Sequence, residues 1–428
     1  MSNKENNMDL GFVKVAAAVP RLKVADCFFN IEQIEDLIRK AAAEHVQFIC
    51  FPELSVTGYT CMDLFGQQTL LNNAEKALME LLEKTSDLSV FSIVGMPLRV
   101  ENCLVNTAVA FQKGKILGVV PKTYIPNYKE FQEQRWFTSG KDILSDEIII
   151  AGQSYPFGRH LLFSNGQISA GMEICEDLWV PIPPSSELAM AGANLIFNLS
   201  ASNELIGKHQ YRQSLIRQQS GRCLAGYVYS SAGFGESSTD LVFSGNAIIA
   251  ENGSILKSAE RFSINDQLVV SEIDIANLQN DRLVNISFMK GRDSQSYRNI
   301  PFDVPVLPTN FKLNRFIDPL PFVPSGDALK ERCEEILNIQ VHGLAKRYDH
   351  TKLQTAIIGI SGGLDSTLAL LVTVMAFDLL GISRKQIIGI TMPGFGTTDR
   401  TYTNALGLIR SLGVTLKEPP LPGGDGGS

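Results

Sequence analysis

Residues 168–181 read ISAGMEICEDLWVP. The run from Ile168 to Ile174 predicts a buried β-strand, and it breaks abruptly into the polar turn Glu176-Asp177. A cysteine at such a break, Cys175, stands on a sharp strand-to-helix turn that presents its sulfur, as the serine elbow presents its hydroxyl. Cysteine attacks as a thiolate, yet Glu173, Glu176 and Asp177 flank it and oppose an anion there. Such a nucleophile needs a cation and a base from elsewhere in the chain.

Two other segments offer them. QFICFPE, residues 47–53, is an apolar strand ending in a carboxylate, so Glu53 can take the thiol proton and later activate water. PKTYIPNYKEFQEQRWF, residues 121–137, carries Lys122, whose charge can stabilise a developing oxyanion. Taken singly, each residue has a plainer reading: a capping glutamate, a packed cysteine, a surface lysine. The three unusual segments together point to a Glu53, Lys122 and Cys175 site.

Around these segments the chain alternates strands and helices from residue 12 to about 275. Val13–Val19, SIVGMPLRV, NTAVAFQ, ANLIFNLS, AGYVYSSA, NAIIAENG and QLVVSEID predict further strands. Helices are predicted from Ile31, capped by Asn30, and near 70–84 and 204–221. The pattern predicts an α/β or α-β-β-α sandwich. Residues 276–326, proline-rich from about 291, read as a linker. ALKERCEEILNIQVHGLAKRYDH, from Ala328, predicts a helix whose buried stripe holds Ala328, Leu329, Ile336, Leu337 and Ile339.

Next, TAIIGISGGLDSTLALLVTVMAFDLLG and IIGITMPGF read as strand, glycine-rich loop, helix, strand: one β-α-β unit of a parallel sheet. A last helix is predicted from about Asp399 to Leu412. The final stretch, PPLPGGDGGS, cannot form a core strand. Residues 327–416 therefore read as the start of a truncated second domain, and residues 417–428 as a tail foreign to it or disordered.

The Glu, Lys, Cys order and the three motifs resemble the nitrilase superfamily over roughly residues 12–275. The resemblance implies a nitrilase-type α-β-β-α sandwich with Glu53 as general base. It implies that Lys122 stabilises the tetrahedral intermediate, that Cys175 forms a thioester with loss of ammonia, and that the backbone N–H of Glu176 serves the oxyanion hole. Tyr128, together with Ser202 and Lys208 in NLSASNELIGKHQYR, resembles the glutamine-binding positions of glutamine-dependent NAD synthetases. Some members of that family carry arginine where Lys208 stands, which implies a single rather than a forked contact to the α-carboxylate.

The loop Gly359, Ile360, Ser361, Gly362, Gly363, Leu364, Asp365, Ser366, Thr367 is neither a Walker A motif nor a dinucleotide fingerprint. Between a strand and a helix it still makes a concave set of N–H and hydroxyl donors at a helix N-terminus, suited to phosphate. Asp365 repels phosphate unless Mg²⁺ lies between them. The signature S-G-G-x-D-S resembles the N-type ATP pyrophosphatases, whose doubly wound sheet is of the adenine nucleotide alpha hydrolase type. TMPGFGTTDRTYTNALGLIRSLGV resembles the continuation seen in NAD synthetases, where Thr397, Thr398 and Arg400 either touch ATP or cap a helix. The combined resemblance implies glutamine, ATP and deamido-NAD as substrates. It further implies a channel for ammonia, NAD, AMP and pyrophosphate as products, and a homo-oligomer.

Composition sets outer bounds. The net charge of -7 and the absence of a basic run argue against nucleic acid and an anionic membrane surface as partners. Seven widely spaced cysteines without a C-x-x-C pair, and five histidines, fit reduced thiols in a cytoplasmic protein better than a disulfide framework or a zinc site. No prosthetic group is expected. The N-terminus lacks the apolar region of a signal peptide. Two rival readings stay open: a stand-alone nitrilase-type amidase, and an inactive module that serves assembly. If the second domain is truncated, this chain alone is expected not to complete NAD synthesis, and its glutaminase activity is expected to be weak.

Overall fold

A computed structural model describes residues 11–290, 296–305, 307–308, 311–324, 326, 329–391 and 399–418. The chain forms two compact units, the first ending at Phe316 and the second starting at Ile317.

The first unit contains two sheets. Strands β1 (Phe12–Val19), β2 (Phe48–Cys50), β3 (Phe91–Val100), β4 (Cys103–Gln112) and β5 (Lys115–Pro121) line up in that order, with β14 (Gln267–Asp274) antiparallel on the far edge of β1. A small hairpin, β6 (Glu147–Ile150) and β7 (Gln153–Pro156), forms a sheet of its own, with Ile148 and Ile150 in the same core as Val119 of β5. The second sheet contains β8 (Leu161–Ser164), β9 (Ser169–Ile174), β10 (Leu195–Ser200), β11 (Gly226–Ser231), β12 (Ala247–Glu251), β13 (Ser254–Ser258) and β15 (Arg298–Ile300). Its three central strands β9, β10 and β11 run parallel. Strands buried on both faces read as continuous apolar runs, as ANLIFNLS does.

The sheets pack face to face. Val15, Ala17, Phe48 and Phe91 of one meet Phe163, Met172, Phe197, Val228 and Ile249 of the other in one core, with Phe48 stacked on Phe197 at 5.8 Å between ring centres. Helices α1 (Cys27–Ala43) and α2 (Gln68–Lys84) cover the first sheet, burying Ile31, Ile34, Ile38, Leu78 and Leu81 against Ile49, Phe51 and Val94. On the outer face of the second sheet lie α3 (Pro184–Met190) and α4 (Lys208–Arg222), the latter burying Ile216 beside Ile196, Tyr227 and Ile248. The result is the α-β-β-α sandwich expected from the sequence.

Two local expectations change in this unit. Helix α1 starts at Cys27, with the Asp26 carboxylate accepting from the Phe29 N–H, so Asn30 lies inside the helix rather than at its cap. Asn30 is buried instead, and its amide nitrogen donates to the Lys23 and Val56 carbonyls. Secondly, the segment after residue 275 is not bare connector. Helices α5 (Ile275–Val284) and α6 (Ile286–Lys290) follow, and β15 adds itself parallel to β8. Farther on, the Asn314 and Arg315 N–H groups donate to Glu272 at 3.0 Å each, and the Arg315 guanidinium grips Glu251 at 2.7 and 2.9 Å.

In the second unit, β16 (Ala356–Gly359), β17 (Ile387–Ile390) and β18 (Thr415–Lys417) form a parallel three-stranded sheet with helices α7 (Leu329–Thr351), α8 (Leu364–Leu379) and α9 (Asp399–Ser411). The expected stripe on α7 is displaced. Leu329, Ile336 and Ile339 are exposed, and Val341 and Ala345 pack on Val372 and Ala376 of α8, with Leu337 beside them. The spacing 337, 341, 345 is one face of a helix, whereas 336 and 339 lie off it. Ala328 and residues 419–428 of the tail fall outside the described residues.

Candidate active site

Glu53, Lys122 and Cys175 reach one point because three strand ends converge there. After β2 the chain crosses toward the second sheet, and the Glu53 N–H donates to the Ser200 carbonyl at the end of β10. This crossing requires Gly95 on β3: a Cβ there would stand 2.3 Å from the Leu54 nitrogen. Lys122 follows β5 directly, its N–H on the Asn106 carbonyl at 2.8 Å. Cys175 follows β9 at the first position of a short 3-10 turn, Cys175–Leu178. Its φ is +45°, a left-handed conformation uncommon for a residue with a Cβ, at the elbow expected from the sequence.

Asp177 locks that elbow. Its carboxylate accepts from the Ile174 N–H at 3.0 Å and from the Tyr124 N–H at 2.8 Å, tying the cysteine turn to the segment just after Lys122. Burial pushes the Asp177 carboxyl up to about 7. Glu173 points elsewhere, accepting from Ser185, Asn198 and Tyr227.

The charges form one buried cluster. Lys122 Nζ donates to Glu53 Oε1 at 2.7 Å and to both oxygens of Glu133 at 2.8 and 2.7 Å. These contacts use all three ammonium hydrogens. Asn106 Nδ2 also donates to Glu53 Oε1, at 2.7 Å, whereas Glu53 Oε2 is buried and has no hydrogen-bond partner among the described residues. Glu133 and Asn106 did not emerge from the sequence reading. Tyr59 completes the ring, its hydroxyl donating to Glu133 Oε1 at 2.9 Å.

Burial opposes the Lys122 charge, but Glu133 and then Glu53 outweigh it and hold the ammonium protonated. Glu133 shares that single ammonium with Glu53, and burial pushes its carboxyl up to about 7 despite Lys122. Burial first, then the Glu53 charge, drives the Cys175 thiol well above its ordinary range. The cluster at rest therefore holds a neutral thiol, one ammonium and a carboxylate oxygen free to accept a proton.

Cys175 opens onto a cavity of ≈ 230 Å³ lined by Tyr128, Glu130, Phe131, Glu176, Trp179, Ser202 and Lys208 among others. The three residues expected at a glutamine site thus share one cavity with the cysteine. The Tyr128 hydroxyl donates to both oxygens of Glu176, at 2.9 and 3.0 Å. Lys208 Nζ donates to Asn203, stands 5.3 Å from the centre of the Trp179 ring, and has its basicity lowered by burial.

The glycine-rich loop belongs to the second unit. Gly363 caps α8, and the Ser361 and Ser366 hydroxyls are 3.1 Å apart. The Ser366 and Thr367 hydroxyls both donate to the Gly363 carbonyl. Gly362 has φ +81°, and a Cβ on it would stand 2.0 Å from the Thr401 carbonyl oxygen of α9. Asp365 and Leu364 on the first turn of α8 are exposed, and the described residues contain no cluster of three metal-ligating side chains. Thr397 and Thr398 lie outside the described residues, and Arg400 is exposed on α9.

Residues 14–283 match the carbon-nitrogen hydrolase family and residues 336–423 match the NAD synthase family. Over 417 residues, 95% of this chain, the sequence is 40% identical to the glutamine-dependent NAD(+) synthetase of Mycobacterium tuberculosis. Over 422 residues, 96% of the chain, it is 39% identical to that of Mycobacterium leprae. It spans 61% and 62% of the lengths of those relatives. A glutamine-dependent NAD(+) synthetase from Cytophaga hutchinsonii has a similar fold, with a TM-score of 0.56 at 21% identity over 95% of this chain and 65% of that one. A carbon-nitrogen hydrolase from Helicobacter pylori aligns with a TM-score of 0.52 at 19% identity over 66% of this chain and 95% of that one.

Proposed function

The chain belongs to the carbon-nitrogen hydrolase family, and from that membership we propose that its first unit hydrolyses the side-chain amide of free glutamine at Cys175. The observation that carries the reading is the division of labour on Glu53. One carboxylate oxygen is held by Lys122 and Asn106, and the other is buried without a partner among the described residues, beside the cysteine's charge cluster.

In this reading Glu53 Oε2 takes the thiol proton as Cys175 Sγ bonds to the amide carbon. The Lys122 ammonium and the Glu176 backbone N–H stabilise the oxyanion. Glu53 returns the proton to the leaving nitrogen, the C–N bond breaks, and ammonia departs from a thioester. Water then gives Glu53 a proton as its oxygen attacks, glutamate leaves, and the sulfur recovers its proton. Ser202 and Lys208 receive the α-carboxylate, Tyr128 closes the wall beside them, and the Glu130 and Glu176 carboxylates offer acceptors to the α-ammonium.

For the longer protein of which the relatives give the pattern, we assign the ammonia to an ATP-dependent amidation of deamido-NAD that yields NAD, AMP and pyrophosphate. Residues 12–275 would be the glutaminase domain, 276–326 a connector, and 327–416 the beginning of the ATP-binding domain. Residues 359–366 would cradle ATP phosphates. Asp365 would be the carboxylate that holds Mg²⁺ against them, and one carboxylate with phosphate oxygens is a usual magnesium environment. A cytoplasmic homo-oligomer with channelled ammonia completes the reading, because ammonia released to water at neutral pH becomes non-nucleophilic ammonium.

Ammonia release from glutamine by the full chain, measured beside Cys175→Ala, tests the proposal. Release that vanishes in the variant supports it. Hydrolysis of simple amides in preference to glutamine would instead favour a stand-alone amidase. A folded chain inert to every amide would favour an assembly role.

A further inference from the structure

Beneath the cavity lies an arginine that neither the sequence reading nor the mechanism uses. Arg212 is fully buried, one helical turn beyond Lys208 on α4, and so on the same face of the helix. Burying a guanidinium is costly unless it is paired. Glu204 is the partner, accepting from Arg212 Nη1 at 2.7 Å, but it also accepts from Arg261 at 2.9 Å and from the Ser244 hydroxyl at 2.7 Å. Two guanidinium groups therefore share one carboxylate, and the cluster keeps an excess of positive charge. Arg212 Nε is buried without a hydrogen-bond partner among the described residues.

The remaining nitrogen, Nη2, donates to the Asn203 carbonyl at 3.2 Å and, over 3.4 Å, to the Ser202 hydroxyl oxygen. Ser202 lines the same cavity as Cys175 and Lys208. A hydroxyl has one proton to give, and an oxygen already accepting from a guanidinium keeps that proton for another acceptor. Toward the cavity, Ser202 thus presents a donor polarised by a charge behind it.

Building on the glutamine reading above, we propose that Arg212 is a positioning and specificity residue that fixes Ser202 as a donor to the substrate's α-carboxylate. The buried Arg212–Glu204–Arg261 cluster lends that subsite its positive potential. Lys208 faces the anion directly, and Arg212 acts on it only through Ser202. The site should therefore prefer amides bearing a carboxylate at this distance over amides of equal length without one.

The test uses the full chain in the Cys175→Ala background, where binding is read without turnover. Glutamine is compared by calorimetry with 4-aminobutanamide, which is glutamine lacking its α-carboxylate. Arg212→Lys keeps the charge and most of the volume. Arg212→Met combined with Glu204→Gln removes the guanidinium behind Ser202 and leaves the net charge of the cluster unchanged, with Arg261 facing a neutral amide. In either variant glutamine should bind about tenfold more weakly, as expected for a lost charge-assisted hydrogen bond, with 4-aminobutanamide changed less than about twofold. Adding Arg212→Lys to Ser202→Ala should cost glutamine no more than about a further twofold, since the two act as one unit.

Equal weakening of both ligands would mark Arg212 as merely structural, and unchanged glutamine binding would also overturn the inference. If the combined variant does not fold, Arg212→Lys decides alone. Failure of the underlying reading looks different: the unmodified chain would release no Cys175-dependent ammonia while the selective binding loss persisted. Absence of any glutamine binding would sink both.

Discussion

Glu133→Gln should separate stability from catalysis in opposite directions. Folding raises the Glu133 carboxyl from 4.5 to about 7, burial being the largest cause. The fold therefore favours the protonated group. That contribution is complete below about pH 4.5 and is lost as pH rises through about 7. At 1.36 kcal/mol per pK unit, the ionised carboxylate costs at most about 3 kcal/mol at pH 8. Glutamine has nearly the same shape and no charge. Its carbonyl can still accept from Lys122 and Tyr59, but its amide nitrogen cannot, which forfeits about 1 kcal/mol. The variant should gain about 1–2 kcal/mol at pH 8, or roughly 3–6 °C in thermal midpoint, and its stability should fall less between pH 5 and 8 than the parent's.

Activity should move the other way. With one of three anchors gone, the Lys122 ammonium is free to turn toward Glu53, pairing more tightly with the base and drifting from the oxyanion. Loss of a placed electrostatic donor costs on the order of 10²-fold in rate, so ammonia release should fall by about that factor. Thermal unfolding and ammonia release on one preparation decide the matter. A variant that melts lower at pH 8, or that hydrolyses glutamine within about twofold of the parent, would refute this account of the cluster.

Other perturbations follow from the same geometry. Tyr59→Phe removes the hydroxyl that holds Glu133 down, so an activity limb near pH 7 should move up by about half a unit, read from the pH profile of ammonia release. Cys333 is exposed and Cys175 is buried with a raised thiol, so iodoacetamide at pH 8 should label Cys333 first, read by peptide mass spectrometry. An electrophile carrying the α-amino acid group of glutamine should reverse that order. Gly362→Ala should disrupt the loop, since its φ is +81° and the added carbon would meet the Thr401 carbonyl. Hydrogen exchange should accelerate across α8 and α9 and stay unchanged in the first unit.

What could be read from the sequence followed backbone periodicity. The strand Ser169–Ile174 and its break at Cys175 were visible because an apolar run ends abruptly in acids. Glu133 was not, although it lies in the quoted segment 121–137. Gln132, Gln134 and Arg135 surround it and give no period, and a single 3-10 turn, Glu133–Arg135, carries it inward. A charge count was the available signal: a buried lysine between one base and a nucleophile leaves its remaining hydrogens unassigned. Asn106 and Arg212 escaped for a related reason. Each is a polar residue whose partner is set by tertiary approach, and local pattern does not report that. The hairpin β6–β7 and the edge strand β15 are too short, at four residues each for the first pair and three for the second, to raise a periodic signal.

The site's two halves then explain each other. A resting thiolate beside Glu53 and Glu133 would place three negative charges around one ammonium in a buried space, and the raised Cys175 thiol expresses that cost. In the proposed mechanism the nucleophile is therefore made only as it is used: the proton would pass to Glu53 while negative charge moves off sulfur onto the amide oxygen, toward Lys122. Such coupling demands that the amide carbon already sit against the sulfur, because a loosely placed substrate would meet an unreactive thiol. Placement has to come from the end of the substrate remote from the chemistry. In the proposed reading that end meets Ser202 and Lys208, which line the cavity with Cys175, with the Arg212–Glu204–Arg261 cluster behind Ser202. In the proposed reading, the cations that would hold glutamine's carboxylate and the anions that keep the thiol protonated act together to withhold reaction from water and from amides that do not fill the cavity.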